Sequence, residues 1–314
     1  MRGPRGKAPF ALLGLLSGAL ALPFPAAAAG RSVPAGPVTV VAAGDIACDP
    51  GDPEFHGGAG SAKACRMRAT SDQALALHPA AVLLLGDLQY ENATLAKFQL
   101  SFDPTWGRLR ALSHPAVGNH EYLTPGAAGY FAYFGAAAGD PAKGYYSFDL
   151  GGWHLVALNS NCEQVGGCGA TSPQVTWLGA DLRAHSGACT LAYWHHPRFS
   201  SSLHGTDATY QPFWEALQAG AADLVLVGHD HVYERFAPQD AAGGDDPLTG
   251  IRELVVGTGG RLLYSFNAAQ PHSEVRNSDT YGVLQLTLHA TGYNWNFLPE
   301  AGKTFSDSGS GTCH

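Results

Sequence analysis

Short apolar runs that end at polar residues are the feature that most constrains this sequence. Six such runs stop at glycine or at a polar cluster, and five of them deliver Asp, Asn, His or Tyr. In residues 80–90, AAVLLLGDLQY, six apolar residues precede Gly86 and Asp87. A run this short predicts a strand that is buried on both faces, as in a parallel sheet. One Gly-Asp ending is typical of a turn, but five endings predict one polar site where the strands finish.

The polar residues at these endings form one candidate site. They are Asp45, Asp87, Tyr90, Asn119, His195, His229 and His231. A ligand set of oxygen and nitrogen atoms without thiolates argues against a structural zinc site. The set is also too large for one four-coordinate ion, whereas two ions that share a carboxylate would use all of it. Paired ions about 3.5–4 Å apart clamp the attacking and leaving oxygens of an in-line displacement.

The rest of the pattern predicts strands that alternate with helices and are followed by hairpins. We expect a first strand at 38–43, helices at 66–78, 173–186 and 209–220, a hairpin within 145–159, and a strand-rich region from Leu254 to Trp295. The predicted fold class is therefore α/β (α+β), with one domain over residues 30–314. Its strands form one mixed sheet or two packed sheets, with helices outside.

The N-terminus predicts export. Three basic residues within the first seven precede the apolar stretch 10–22, and the small residues Ala26–Ala29 follow it. This order is typical of a signal peptide, here residues 1–29, and predicts a secreted or periplasmic protein. An uncleaved anchor is the alternative, although the apolar stretch is short for a membrane span. No later stretch predicts a span.

The cysteines agree with export. There are six, and an even number in an exported chain indicates disulfides, although six cysteines allow 15 pairings. We predict Cys162–Cys168 across a glycine-rich loop and Cys48–Cys65 across the loop after the first strand, which leaves Cys189–Cys313. Metal binding through thiolates is the alternative, but the chain has no CxxC pair.

The order of the motifs resembles a known family. GDIA, GDLQY, GNHE, a histidine before His-Pro, and GHDH together resemble the calcineurin-like metallophosphoesterases. Tyr90 in GDLQY, with GNHE and GHDHVYER, resembles the purple acid phosphatase branch of that family. The motifs extend from Asp45 to Arg235. The resemblance implies two packed mixed β-sheets flanked by helices, the metallophosphoesterase-type sandwich, in a single catalytic domain.

The resemblance also implies a role for each motif residue. Asp45, Asp87, Tyr90 and His231 would hold a first metal ion, and Asp87, Asn119, His195 and His229 a second. Fe(III) is implied beside Tyr90, with Zn, Mn or Fe(II) at the second position. His120 and His204 match positions that hold phosphate oxygens and give a proton to the leaving group.

The implied function is a secreted phosphoesterase with two metal ions that hydrolyses phosphate monoesters by attack of a metal-bound hydroxide. One alternative is a phosphodiesterase on the same metal core, acting on cyclic nucleotides or glycerophosphodiesters. Another is a protein that binds metal or phosphate without catalysis. The expected partner is a small phosphate ester, because the net charge of −8 argues against a basic nucleic-acid surface.

Three neighbours of the motif residues have weaker predictions. His196 follows a predicted ligand, and we expect it to support the site rather than to act directly. Asp230, between His229 and His231, is expected to point away from the ions. Arg235 either packs below the site or contacts phosphate or a carboxylate.

Overall fold

Two mixed β-sheets form the centre of the fold. The computed structural model describes residues 1–3, 6 and 36–314, so the predicted signal peptide, residues 1–29, lies almost entirely outside the described residues. The strands are β1 Val38–Ala43, β2 Ala81–Leu85, β3 Ser113–Ala116, β4 Tyr146–Leu150, β5 Trp153–Ala157, β6 Cys189–Tyr193, β7 Leu224–Val227, β8 Tyr233–Phe236, β9 Arg252–Val256, β10 Ser273–Asn277, β11 Gly282–His289, β12 Gly292–Pro299 and β13 Asp307–Thr312. The helices are α1 Met67–Ala76, α2 Leu95–Lys97, α3 Asn119–Tyr122, α4 Ala128–Phe134, α5 Pro173–Ala184 and α6 Gln211–Ala219.

Each sheet combines a block of parallel strands with antiparallel strands. The first sheet has the order β13-β12-β11-β1-β2-β3, in which β1, β2 and β3 are parallel. The second sheet has the order β10-β8-β9-β7-β6-β5-β4, in which β5, β6, β7 and β9 are parallel. The carboxyl ends of neighbouring parallel strands lie at the same edge of a sheet, so each sheet presents one such edge.

The central strands are buried on both faces, as the apolar runs predict. In β1, Val40 contributes to the core between the two sheets, and Val41 contributes to the core under the helices on the outside of the first sheet. In β7, Leu226 faces the core between the sheets, and Val225 packs in the core under α5 and α6. The predicted sandwich of two packed sheets with helices outside is confirmed, and it forms a single domain.

Local sequence signals produce the hairpin and the α5 helix where they were predicted. Gly151 and Gly152 both have positive φ, and they join β4 to β5 in a two-residue turn. Ser172 begins α5, because its side chain accepts a hydrogen bond from the Val175 N–H, and Pro173 occupies the first helical position.

All three predicted disulfides are present. They join Cys48 to Cys65, Cys162 to Cys168, and Cys189 to Cys313. Cys189 is the first residue of β6. Among residues 1–3, 6 and 36–314, no helix has both the length and the apolar character that a bilayer crossing requires.

Candidate metal centre and active site

The predicted site residues meet where both sheets end. Asp45, Asp87 and Asn119 follow β1, β2 and β3, and His195 and His229 follow β6 and β7. Each of these strands belongs to the parallel block of its sheet, so their carboxyl ends face a common space between the two sheets. The structure brings all seven predicted ligand residues into that space.

The backbone turns sharply at three of these residues. Asp45, Asp87 and His229 have φ values of 59°, 49° and 68°, in the left-handed region that side chains other than glycine rarely adopt. Such conformations cost about 1–3 kcal/mol each and persist only where the surrounding structure enforces them. Because all three lie at strand ends of one site, we infer that the direction required of each side chain, rather than the intrinsic backbone preference, determines the local conformation.

A first group of donor atoms surrounds the Tyr90 hydroxyl. The hydroxyl oxygen lies 2.9 Å from Asp45 Oδ1, 3.2 Å from Asp87 Oδ2 and 2.9 Å from His231 Nε2. His231 Nδ1 donates to the Leu262 carbonyl, so the neutral ring has a lone pair at Nε2. One phenolic proton therefore faces three acceptors.

A second group surrounds His195 Nε2. This nitrogen lies 3.1 Å from Asn119 Oδ1, 3.2 Å from Asp87 Oδ2 and 3.2 Å from His229 Nδ1. His195 Nδ1 donates to the Leu85 carbonyl, 2.8 Å away, which again leaves the neutral ring with a lone pair at Nε2. Asp87 Oδ2 belongs to both groups and therefore lies between them.

The donor chemistry fits two cations. In each group several lone pairs face one another, and one proton satisfies only one of them at a time, whereas a cation is attracted to them all. The backbone carbonyls behind His195 and His231 match the usual support of metal-binding imidazoles, in which the second ring nitrogen donates to a carbonyl or carboxylate. Carboxylate, amide, phenol and imidazole donors suit borderline to hard divalent and trivalent ions.

Glycines allow the backbone to pass close to the carboxylates. A Cβ atom at Gly257 would lie 2.2 Å from the Asp230 carbonyl oxygen and 2.8 Å from Asp45 Oδ2. A Cβ atom at Gly118 would lie 2.2 Å from Asp87 Oδ1. The absence of a side chain at Gly257 therefore allows the backbone to approach the Asp45 carboxylate closely.

The pKa values reflect this crowding. Burial raises the pKa of the Tyr90 phenol well above its usual value, and the charges of Asp45 and Asp87 raise it further. Burial lowers the pKa of His195, but the Asp87 carboxylate outweighs burial and raises it to about 9. For His229, burial and then the neighbouring His195 lower the pKa well below its usual value. A bound cation opposes the effect of burial on Tyr90, because it stabilises the phenolate, whereas for the imidazoles it acts in the same direction as burial and favours the neutral ring.

The two predicted substrate histidines lie beside the two groups. The ring centroid of His120 is 4.4 Å from that of Tyr90, and its backbone N–H donates to Asp87 Oδ1. The ring centroid of His204 is 4.1 Å from that of His229. Both rings are partly exposed, so each is accessible to a ligand at the centre.

Asp230 and Glu121 contact residues of the candidate site in ways that the sequence analysis did not predict. Asp230 does point away from the lone pairs, but its carboxylate accepts hydrogen bonds from His204 Nδ1 at 2.9 Å and from the His204 N–H at 3.1 Å. Glu121 is fully buried, and its two oxygens accept from the N–H groups of Asp87, Leu88, Gln89 and Gly118. The only indication of Glu121 in the sequence was its place as the last residue of the GNHE motif.

The other two neighbours differ in how far they were predicted. His196 supports the site as expected: its ring centroid lies 4.3 Å from that of His229, and its Nδ1 is 2.7 Å from Ser160 Oγ. Arg235 does not reach phosphate, because it is paired with Asp307 and Glu274 at the far end of β8. Its position on a strand of the second sheet, beyond the turn after His231, directs it away from the centre.

The geometry agrees with comparisons to known proteins. The model of the calcineurin-like phosphoesterase family matches residues 38–233. Purple acid phosphatase 23 of Arabidopsis thaliana is 28% identical over 206 residues, which cover 53% of this chain and 44% of that protein. Purple acid phosphatase 21 of the same plant is 33% identical over 156 residues, covering 46% of this chain and 34% of that protein. The chain thus spans less than half the length of these two relatives.

Solved structures show the same fold. A purple acid phosphatase from yellow lupin (Lupinus luteus) seeds superposes with a TM-score of 0.69 at 19% identity, covering 87% of this chain and 54% of the lupin chain. GAP50, described as the anchor in the inner membrane complex of Plasmodium, superposes with a TM-score of 0.60 at 12% identity, covering 89% of this chain and 90% of that chain. At these identities the likeness concerns the fold alone.

Proposed function

This chain belongs to the calcineurin-like phosphoesterase family, and from that premise we propose that it is an exported hydrolase of phosphate monoesters with two metal ions. The observation that carries the proposal is the pair of donor groups around Tyr90 and His195, which share Asp87 Oδ2. Two cations held there would supply Lewis acidity and would lower the pKa of a bound water. The three disulfides and the predicted signal peptide, residues 1–29, support export.

In this proposal, one set of side chains binds the metal ions and another binds phosphate and transfers the proton. Asp45, Asp87, Tyr90 and His231 form the first ion site, and Asp87, Asn119, His195 and His229 form the second. The donor atoms of each group already face one another in the protein, so little reorganisation of these side chains would remain for the reaction step. We assign residues 30–314 to this one catalytic domain.

His120 and His204 serve the phosphate and its leaving group. His204 is the better proton donor of the two, because its Nδ1–H donates to Asp230, and the protonated ring then has its Nε2–H free to give a proton to the leaving group. A hydrogen bond from His204 to Asp230 raises the pKa of His204, which keeps the ring protonated over a wider pH range. His120 is held by the Glu91 carbonyl at Nδ1, so its Nε2 faces the Asp87 side of the centre.

Comparison of two chromogenic esters tests the function. A monoester presents three terminal phosphate oxygens to two ions and two histidines, whereas a diester presents two oxygens and a second alcohol group. We expect kcat/KM for 4-nitrophenyl phosphate to exceed that for bis(4-nitrophenyl) phosphate by at least about tenfold, or roughly 1.4 kcal/mol. The reverse order would make the protein a diesterase, and bound metal without any turnover would make it a binding protein.

The Tyr90 position selects Fe(III) in this proposal. Burial and two carboxylates oppose ionisation of the phenol, so a trivalent ion is the partner that favours phenolate most. We expect the iron-loaded protein to absorb visible light and Tyr90→Phe to lose that band. Tyr264→Phe is the matched control, because Tyr264 stacks on His231 at 3.9 Å but is not hydrogen-bonded to Asp45 or Asp87. An unchanged spectrum in Tyr90→Phe would remove Tyr90 from the ligand set. Zn, Mn or Fe(II) is proposed for the second ion site.

A further inference from the structure

A cleft of about 440 Å³ opens beside the second donor group. Asn119 and His196 lie on its wall, and both also belong to the candidate centre: Asn119 Oδ1 contacts His195, and the His196 ring packs against His229. A phosphate held at the centre would therefore extend its alcohol group into this cleft. The inference that follows rests on the proposed phosphoesterase function.

The cleft carries negative charge without a compensating cation on its wall. Glu163 and Asp207 line it, and no lysine or arginine does so among the described residues. Arg198 lies near Asp207 but is buried behind the wall, where it also interacts with Glu253. Glu163 is exposed and forms no ion pair within the described part of the chain.

The wall also holds this charge in place and adds aromatic surface. Glu163 lies in the short loop that the Cys162–Cys168 disulfide closes. Asp207 Oδ1 accepts a hydrogen bond from the Thr209 N–H, which fixes the carboxylate at the start of the next turn. Tyr122 and Tyr210 contribute to the lining, and the Tyr210 ring stacks on His196. Aromatic faces next to carboxylates are the surroundings that attract substituted ammonium groups.

We propose that this cleft selects phosphate monoesters whose alcohol carries an ammonium group, and that Glu163 and Asp207 determine this specificity. A leaving group with further phosphates would bring anions next to two carboxylates and would be disfavoured. Glu163 is the stronger determinant, because Arg198 partly offsets the charge of Asp207. Partly exposed charge pairs of this kind are worth about 0.2–1 kcal/mol each, so each carboxylate should change selectivity by roughly one and a half- to fivefold.

Two esters of the same shape isolate the charge. Phosphorylcholine and 3,3-dimethylbutyl phosphate differ by one nitrogen for one carbon, and ATP supplies a polyanionic leaving group. We expect kcat/KM to be highest for phosphorylcholine, lower for 3,3-dimethylbutyl phosphate and lowest for ATP. The Glu163→Gln/Asp207→Asn double variant should bring the first two values together while hydrolysis of 4-nitrophenyl phosphate continues. Asp72→Asn is the control, because it removes an exposed carboxylate that does not line the cleft.

The outcomes separate this inference from the proposed function. Equal kcat/KM for phosphorylcholine and its neutral analogue in the wild type would overturn the inference, and so would a preference that survives in the double variant. Either result, with 4-nitrophenyl phosphate still hydrolysed, leaves the phosphoesterase function standing. Absence of turnover with every ester, including 4-nitrophenyl phosphate, would overturn the function and the inference together.

Discussion

At the scale of single residues, the contact between Asp230 and His204 could not be predicted from the position of Asp230 in the sequence. Asp230 lies between two proposed ligands, His229 and His231, yet its carboxylate binds His204, a residue 26 positions earlier in the chain. Hydrogen bonds from His204 and Ser200 outweigh burial and lower the pKa of Asp230, so it is a carboxylate at neutral pH. The negative charge and the hydrogen bond both favour protonated His204.

Asp230→Asn should shift the pH dependence of hydrolysis. The hydrogen bond to Asp230 is the largest cause that raises the pKa of His204, so the variant should have a lower His204 pKa. The proposed proton donor can act only when it is protonated, so the fall in activity with rising pH should begin at a lower pH in the variant, and activity on the acid side should be retained. Ser200→Ala is the matched control, because it removes a hydrogen bond to the same carboxylate but keeps the contact between Asp230 and His204. A profile of kcat against pH that is identical in wild type and Asp230→Asn would contradict the assignment.

The sequence predicted the positions of residues in local motifs better than it predicted contacts between residues that are far apart in the chain. Asp45 and Asp87 follow recognisable strands, so their positions were predictable from the apolar runs alone. Glu121 supports the loop of Asp87 across 34 positions, and that contact exists only once β2 and β3 pair side by side. Arg235 was left with a possible phosphate contact because its partner Asp307 is 72 positions away.

At the scale of elements, the strand ends determine where the ligands lie. The first strand was predicted to the residue, and the central strand within one residue, because burial on both faces produces an uninterrupted apolar run. The segment 95–112 was less predictable. It contains the three-residue α2, a π-helix over Phe98–Phe102 and a 3-10 helix over Trp106–Leu112, and these elements lack the regular period of an α-helix.

Gly257→Ala tests the close approach at the end of β9. The added Cβ would collide with the Asp230 carbonyl and with Asp45 Oδ2, so the loop or the carboxylate must move. Because a misplacement of about 1 Å costs about a hundredfold in rate, we expect at least that loss in kcat/KM with the fold retained. Gly179→Ala, inside α5 and with only the Arg183 side chain nearby, should leave kcat unchanged and stabilise the protein by about 1 kcal/mol. Equal activity in the two variants would refute the argument.

At the scale of the whole molecule, disulfides fasten the chain around the sheets. Cys189–Cys313 joins the start of β6 to the end of the chain across 124 positions, and Cys162–Cys168 spans only 6. The pairing was predictable here because two pairs flank short loops, which leaves one long-range pair. The relation between the two sheets was less predictable, since the apolar runs fit one mixed sheet as well as two packed sheets.

Removal of the long-range disulfide should cost more stability than removal of the short one. Loop-closure entropy gives about 5 kcal/mol for Cys189–Cys313 and about 2.4 kcal/mol for Cys162–Cys168. We expect double serine variants of the two pairs to follow that order in the free energy of unfolding measured with urea. A larger loss for the Cys162–Cys168 variant would show that native contacts of the loop, rather than chain entropy, dominate.

The metal content of the purified protein tests the two-ion proposal most directly. The wild type should bind two metal ions per chain, and Asp87→Asn should bind fewer than one, because Asp87 Oδ2 serves both donor groups. Circular dichroism should show that the variant keeps its fold, and Asp72→Asn should retain two ions. A wild-type protein with at most one ion per chain, or an Asp87→Asn variant that still binds two, would contradict the proposed centre.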